Sequence, residues 1–128
     1  MSKTLVIGGT GSLGRKLIER LLPEGDVAVC SRDEAKHWSI RNELVNFTAL
    51  CEPNKLDFYV GDVRDLSRIR DVIRQYKPDT IIVAAALKQV DTCELSPSES
   101  IATNLVGTQN VVDAVVSLWP AVRIQNVL

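Results

Sequence analysis

The chain has 128 residues, of which 45% are hydrophobic and 24% are charged, and its formal net charge is -1. This length suits one domain around one core, without a second domain, and a charge so close to zero argues against a nucleic-acid partner held by a basic surface. No apolar run approaches the roughly 20 residues that span a bilayer, and no secretory signal is evident, so we expect a cytoplasmic protein without membrane contact. The cysteines, Cys30, Cys51 and Cys93, contain no CxxC pair, which predicts reduced thiols and no metal site.

Apolar runs alternate with helical patterns along the chain in a βα order, which is typical of a parallel sheet covered on both faces. The predicted strands are 3–7, 26–30, 56–60, 79–85 and 122–127, and the predicted helices are 12–22, 32–45, 65–77 and 97–119. With right-handed crossovers, these elements predict a doubly wound α/β sheet, the Rossmann fold, with strand order 3-2-1-4-5. In such a sheet, ligands bind at the carboxyl ends of the strands.

A glycine-rich turn follows the first predicted strand, where Gly8, Gly11 and Gly14 are spaced as GxxGxxG before an amphipathic helix. Glycine allows backbone angles that a Cβ obstructs, and the turn amides together with the helix N-terminus suit a pyrophosphate. The third glycine is expected to let the helix pack closely on the strand. The spacing is typical of the extended short-chain dehydrogenases/reductases, and an ordinary strand-to-helix loop is the alternative. We therefore predict a dinucleotide site at this turn.

The end of the second strand bears on which cofactor binds, because the adenosine ribose lies there in this fold. Arg32 offers a bidentate fork to a ribose 2′-phosphate, Ser31 a hydroxyl and Lys36 a second positive charge, which together favour NADP. Asp33 could instead bind the ribose diol of NAD. In a purely structural interpretation, Ser31 and Glu34 form a capping box and the two basic side chains are solvated. NADP is the expected cofactor, with NAD as the alternative.

Two further segments complete the predicted site. After the third strand, Asp62 can accept a hydrogen bond from adenine while Val63 covers the face of the base, and a turn with an N-cap at Asp65 is compatible with this. After the fourth strand, Ala84 begins an alanine triplet that leaves no bulk between backbone and ligand, although such alanines are commonly core residues. Lys88 follows within reach of phosphate or sugar hydroxyls.

Taken together, the segments GGTGSLG, SRDEAK, GDVRD, AAALKQVD and TNLVGTQNVVDA resemble the nucleotide-sugar 4,6-dehydratases of capsule, O-antigen and flagellin-glycan synthesis. These enzymes act on UDP-N-acetylglucosamine and form the polysaccharide-biosynthesis branch of the extended short-chain dehydrogenases/reductases. The resemblance covers nearly the whole chain, with Gln89 as a departure where many relatives have histidine. It implies that Asn104 is one of the cofactor-binding residues and supports the active site. It also implies that Gly107 lets the last helix approach its neighbours. The cofactor contacts that it implies are Thr10, Gly11, Ser12, Leu13, Ser31, Arg32, Asp33, Glu34, Ala35, Lys36, Asp62, Val63, Ala84 and Lys88.

The resemblance also bears on catalysis. In the family, hydride moves from sugar C4 to NADP, water is eliminated across C5 and C6, and hydride returns to C6, with catalytic groups in a Thr-Asp-Lys stretch and a Tyr-x-x-x-Lys motif after the fifth strand. Neither tyrosine here begins such a motif, because Tyr59 is followed four places later by Val63 and Tyr76 by Thr80. We therefore assign no catalytic residue and expect a sheet truncated after strand 5 that is inactive alone.

Three functions remain open at the level of the sequence. The chain is the NADP-binding portion of a nucleotide-sugar 4,6-dehydratase or epimerase, a non-catalytic NAD(P)-binding regulatory module, or an interaction protein with a vestigial glycine loop. The expected partners are a nicotinamide dinucleotide and, if another chain completes the enzyme, a UDP-sugar. An exposed strand edge predicts a homo-oligomer. His37 is expected to be a surface or packing residue, and the last helix to bury a stripe of Ile101, Leu105, Thr108, Val111, Val112, Val115 and Trp119.

Overall fold

The computed structural model describes residues 2–8, 12–84, 106–122, 124 and 126–127. In that part of the chain, strands and helices alternate as predicted, except that two helices lie between the second and third strands. The elements in chain order are β1 (Ser2–Ile7), α1 (Ser12–Leu21), a 3-10 turn (Leu22–Glu24), β2 (Gly25–Ser31), α2 (Glu34–Glu43), α3 (Val45–Leu50), β3 (Leu56–Val60), α4 (Leu66–Tyr76), β4 (Thr80–Val83), α5 (Gly107–Leu118) and β5 (Asn126–Val127).

The strands form one parallel sheet in the order β3-β2-β1-β4-β5, which confirms the predicted fold class and strand order. The central strand β1 pairs with β2 from Ser2–Gly25 to Ile7–Cys30 and with β4 on its other side. Helices cover both faces of the sheet, so β1 is buried from Thr4 onward, and Leu5, Val6 and Ile7 have at most 1% of their surface exposed.

The hydrophobic core lies in two layers, one on each face of the sheet. Side chains alternate between the faces along a strand, so Leu5 and Ile7 pack with α4 and α5 while Val6 packs with α1 and α2. No helix among the described residues has the length and apolar character that crossing a bilayer requires.

The second predicted helix differs from the structure in its bounds. The sequence predicts one helix over 32–45, whereas α2 begins at Glu34 and a second helix, α3, follows after Leu44. The Asp33 carboxylate accepts a hydrogen bond from the Lys36 backbone N–H at 3.1 Å and is therefore the N-cap. The capping box that begins at Ser31 is thus wrong, because Ser31 is the last residue of β2.

The last helix buries a different face from the one predicted. Val111 is buried, but Val112 and Trp119 are 44% and 57% exposed. The residues that are buried along α5 are Gly107, Asn110, Val111, Ala114 and Leu118. This face of α5 packs against α4, so the contact between the two helices decides which positions are buried. The predicted residues 97–105 lie outside the described part of the chain.

Hydrogen bonds from side chains tie the amino ends of neighbouring strands together. At the start of β1, the Lys3 backbone N–H donates to the Asp79 carboxylate at 3.0 Å and the Lys3 ammonium donates to the Tyr76 carbonyl at 2.7 Å. The Asp26 carboxylate accepts from the Lys55 backbone N–H at 2.9 Å, between β2 and β3. Hydrogen bonds within the protein therefore stabilise the amino ends of these strands.

Candidate functional site

The predicted binding residues converge on the opposite edge, where the strands end. Gly8 follows β1, Ser31 ends β2, Gly61 follows β3 and Ala84 follows β4. Backbone hydrogen bonds continue past the strand ends, from Gly61 to the Ser31 carbonyl at 3.0 Å and from Ala84 to the Ile7 carbonyl at 2.8 Å. Segments that are far apart in the sequence therefore meet along one line, as the fold prediction requires.

Gly8 adopts a backbone conformation that favours glycine. Its φ is 86°, in the left-handed region, and its N–H donates to the Cys30 carbonyl at 2.6 Å. A Cβ is strained at this angle, so the need for a glycine in the turn is confirmed. After the turn, Gly14 is buried in α1 and Leu13 is 43% exposed.

Four predicted binding residues are not placed by the structure. Thr10, Gly11, Lys88 and Asn104 lie outside the described residues, and the side chain of Ser12 is likewise not described. Their contacts with a cofactor stay predictions from the sequence.

The connection from β2 to α2 presents one buried and several exposed polar groups. Ser31 is 8% exposed, and its hydroxyl forms a 2.7 Å hydrogen bond with Nε2 of His37. One oxygen of the exposed Asp33 carboxylate caps α2, and the side chain of Arg32 is 59% exposed. Glu34, Ala35 and Lys36 form the exposed first turn of α2. Arg32 thus presents an exposed positive charge at the end of β2.

An ionised carboxylate stands beside that arginine, at the end of β3. Asp62 accepts from the Arg64 backbone N–H at 2.9 Å and from the Arg64 guanidinium at 2.9 Å, while the nearest Arg32 nitrogen lies 3.8 Å away. The side-chain hydrogen bond from Arg64 is the largest cause that lowers the pKa of Asp62. Asp62 is therefore ionised with both carboxylate oxygens bonded to Arg64, while Arg32 is only loosely paired with it, and the predicted contact of Asp62 with adenine stays a prediction.

Val63 joins this loop to the last helix. It is 7% exposed, and its carbonyl accepts from the Asn110 side-chain amide at 3.0 Å. A Cβ placed on Gly107 would lie 2.9 Å from Val63 Cγ1, which confirms that glycine at this position permits a close approach of α5. Sequence reasoning missed Asn110, although an asparagine inside an apolar helix was a usable signal. The turn and the N-cap at Asp65 are confirmed by its 3.2 Å bond from the Arg68 N–H.

His37 was expected at the surface or in packing, and the structure shows it in packing. It is 4% exposed, and its ring lies 5.1 Å from the ring of Phe58 in β3. Burial is the main cause that lowers the pKa of His37 below 6.5. The hydrogen bond to Ser31 was not predicted, because the sequence carries no local signal for it.

The buried thiol of Cys30, at this edge of the sheet, is unreactive near neutral pH. Burial is the main cause that raises the pKa of Cys30 to about 11, so it stays protonated near neutral pH. The described residues contain no group of three or more side chains that could hold a metal ion.

Comparison with known proteins agrees with this geometry. Residues 4–122 match the family described as polysaccharide biosynthesis protein. The chain is 40% identical over 124 residues to UDP-glucose 4-epimerase of Rickettsia prowazekii, an alignment that covers 91% of this chain and 34% of the epimerase.

Two solved structures share the fold over most of the chain. Pen from Bacillus thuringiensis has 31% identity and a TM-score of 0.76, with 91% of this chain and 34% of Pen covered. WbmG from Bordetella bronchiseptica, whose structure is a complex with NAD, has 27% identity and a TM-score of 0.65, with 91% and 34% covered. The chain thus spans about a third of the length of these relatives. Because the family match covers nearly all of the sequence, the protein belongs to the polysaccharide biosynthesis protein family of the extended short-chain dehydrogenases/reductases.

Proposed function

We propose that this chain is the NADP-binding part of a nucleotide-sugar enzyme of surface-polysaccharide biosynthesis. The observation that carries the proposal is the alignment of the left-handed turn at Gly8 with the polar ends of β2 and β3 along one edge of the sheet. Gly8 lies where a pyrophosphate approaches the N-terminus of α1 in this fold, Arg32 lies where the adenosine ribose binds, and Asp62 lies at the next strand end.

Three features favour NADP over NAD. An NAD site places a free carboxylate at the end of the second strand, whereas here Ser31 ends β2 and the Asp33 carboxylate caps α2. The exposed guanidinium of Arg32 suits a 2′-phosphate, and its 3.8 Å pairing with Asp62 is loose enough to exchange for that ligand. The WbmG structure contains NAD, so both cofactors belong in the test.

The reaction that we propose is a redox cycle at a sugar carbon. The motifs of the sequence resemble 4,6-dehydratases, while the relatives named above include a UDP-glucose 4-epimerase. Epimerisation at C4 and 4,6-dehydration both begin with removal of hydride from sugar C4, and the bound nicotinamide supplies the hydride acceptor in either case. This chain's residues bind and orient the cofactor, and the chain alone is expected to be inactive because it contains no Tyr-x-x-x-Lys motif.

Titration with NADPH and with NADH, followed by nicotinamide fluorescence, tests the binding proposal. We expect saturable binding of both, with NADPH bound more tightly. Gly8→Ala should weaken both affinities, because a Cβ is strained at a φ of 86°. Circular dichroism of the variant shows whether the fold persists. An absence of saturable binding to the wild-type chain at millimolar cofactor overturns the proposal.

A further inference from the structure

The buried ring of His37 lies directly behind the residue that ends β2. Its Nε2 atom is 2.7 Å from the Ser31 hydroxyl oxygen, and the direction of this hydrogen bond depends on which ring nitrogen carries the proton. The ring is 4% exposed, so water does not compete for this contact. Phe58 packs beside the ring from β3 and fixes its place.

The hydrogen-bonding capacity of Ser31 can be counted completely. A serine hydroxyl has one proton and two lone pairs, and the Asp33 backbone N–H takes one lone pair at 3.4 Å. If Nε2 of His37 accepts, the hydroxyl proton is used and the remaining lone pair can only accept from a ligand. If Nε2 carries a proton and donates, both lone pairs are used and the hydroxyl proton is free for a ligand.

These two states match two different ligands. The 2′-hydroxyl of NAD can donate to a serine lone pair, whereas the 2′-phosphate of NADP carries acceptor oxygens and needs a donor. We propose that His37 is a positioning residue with two states: the protonated ring donates from Nε2 and leaves the Ser31 proton for a 2′-phosphate, whereas the neutral ring with its proton on Nδ1 accepts from Ser31, which then accepts from a 2′-hydroxyl. The preference for NADP over NAD thus depends on His37, an inference that rests on the proposed function and deepens it.

The charges around the His37 ring determine how NADPH affinity changes with pH. Burial and Arg41 lower the pKa of His37, while the carboxylates of Asp33 and Glu34 raise it, and Phe58 contributes no charge from β3. The ring is therefore neutral at pH 7 in the free protein. A bound 2′-phosphate adds negative charge nearby and favours the protonated ring, so NADPH binding takes up a proton and NADPH affinity rises as the pH falls.

The test compares the wild type with His37→Gln. Glutamine keeps an amide that can hydrogen bond to Ser31 but has no titration in this range. Dissociation constants for NADPH and NADH are measured between about pH 5.5 and 8, where the 2′-phosphate also titrates with a second pKa near 6. That titration is common to both proteins, so the difference between their profiles reports His37. We expect the ratio of NADPH to NADH affinity to rise about tenfold more in the wild type than in the variant over this range.

A second measurement needs no variant. His37 is the only histidine in the chain, so its ring nitrogens give unambiguous 15N signals. We expect Nε2 of the wild type to be protonated in the NADPH complex and to act as an acceptor in the NADH complex. The same state in both complexes, or parallel pH profiles of wild type and variant, overturns this inference while leaving the proposed function intact. If neither cofactor binds, the proposed function fails and this inference fails with it.

Discussion

Arg32 and Arg74 are two arginines of nearly equal exposure, 59% and 58% of their side chains, and only the first stands at the carboxyl edge of the sheet. Replacing Arg32 with alanine removes the proposed partner of the 2′-phosphate. We expect NADPH affinity to fall about tenfold and NADH affinity to change little, because a hydrogen bond to a charged group at a partly solvated site contributes on that order. The matched control, Arg74→Ala, should leave both affinities unchanged. An equal loss for the two cofactors in Arg32→Ala would contradict the assignment.

Cys30 and Cys51 differ in burial, which predicts a difference in reactivity. Cys30 has no exposed surface and a pKa of about 11, while Cys51 is partly exposed at the end of α3. Because the thiolate is the reactive form, iodoacetamide near neutral pH should label Cys51 in the native protein and Cys30 only after denaturation. Peptide mass spectrometry measures both sites in one sample. Comparable native rates would show that β2 is more accessible than the structure indicates.

At the scale of elements, the contact between Gly107 and Val63 holds α5 against the loop after β3. Gly107→Ala introduces a Cβ 2.9 Å from Val63 Cγ1, so we expect the free energy of unfolding to fall by about 1–3 kcal/mol. Adding Val63→Ala should recover part of that loss, since it removes the clashing methyl groups. Urea unfolding of both single variants and the double variant gives the coupling. If the losses in the free energy of unfolding are purely additive, the destabilisation does not come from the contact between Gly107 and Val63.

The order of the strands could be predicted because it follows from general rules for connecting strands and helices. Alternating strands and helices with right-handed crossovers leave few topologies, and the observed sheet is the expected one. The bounds of α2 could not be predicted, because Ser31 and Asp33 are both good capping residues and only the structure shows which one lies outside the strand. The buried face of α5 was mispredicted because it depends on packing against α4 and against Val63, both of which lie far away in the sequence.

Some residues of the candidate site could likewise be predicted from the sequence, and others could not. Gly8 and Asp62 could be placed from the sequence, since each follows an apolar strand and carries a property that phosphate or adenine requires. The role of His37 could not be predicted, because it comes from burial against Phe58. Asn110 stands out as an asparagine inside an apolar helix, but its partner, Val63, could not be predicted. Pairwise contacts across long separations leave no trace in local spacing.

At the scale of the whole molecule, the outer face of α5 presents exposed apolar side chains at Val112, Val116 and Trp119, which are 44%, 68% and 57% exposed. Covering such a face releases water, so we expect the chain to self-associate through it. Sedimentation at roughly tens of micromolar should detect a dimer or larger species. Val116→Ser should weaken this association, whereas Leu50→Ser, at a residue 85% exposed on α3, should not. A monomer throughout would contradict the expectation.

The bonds that tie the amino ends of the strands have a consequence for the opposite edge. Lys3 with Asp79 and Asp26 with Lys55 close one end of the sheet without help from a ligand. In deuterium exchange, amides at that end should therefore show the same slow uptake with and without NADPH. The peptides that contain Gly8, Arg32 and Asp62 should become slower only when the cofactor is added, so the molecule is stabilised by its own side chains at one end and by its ligand at the other.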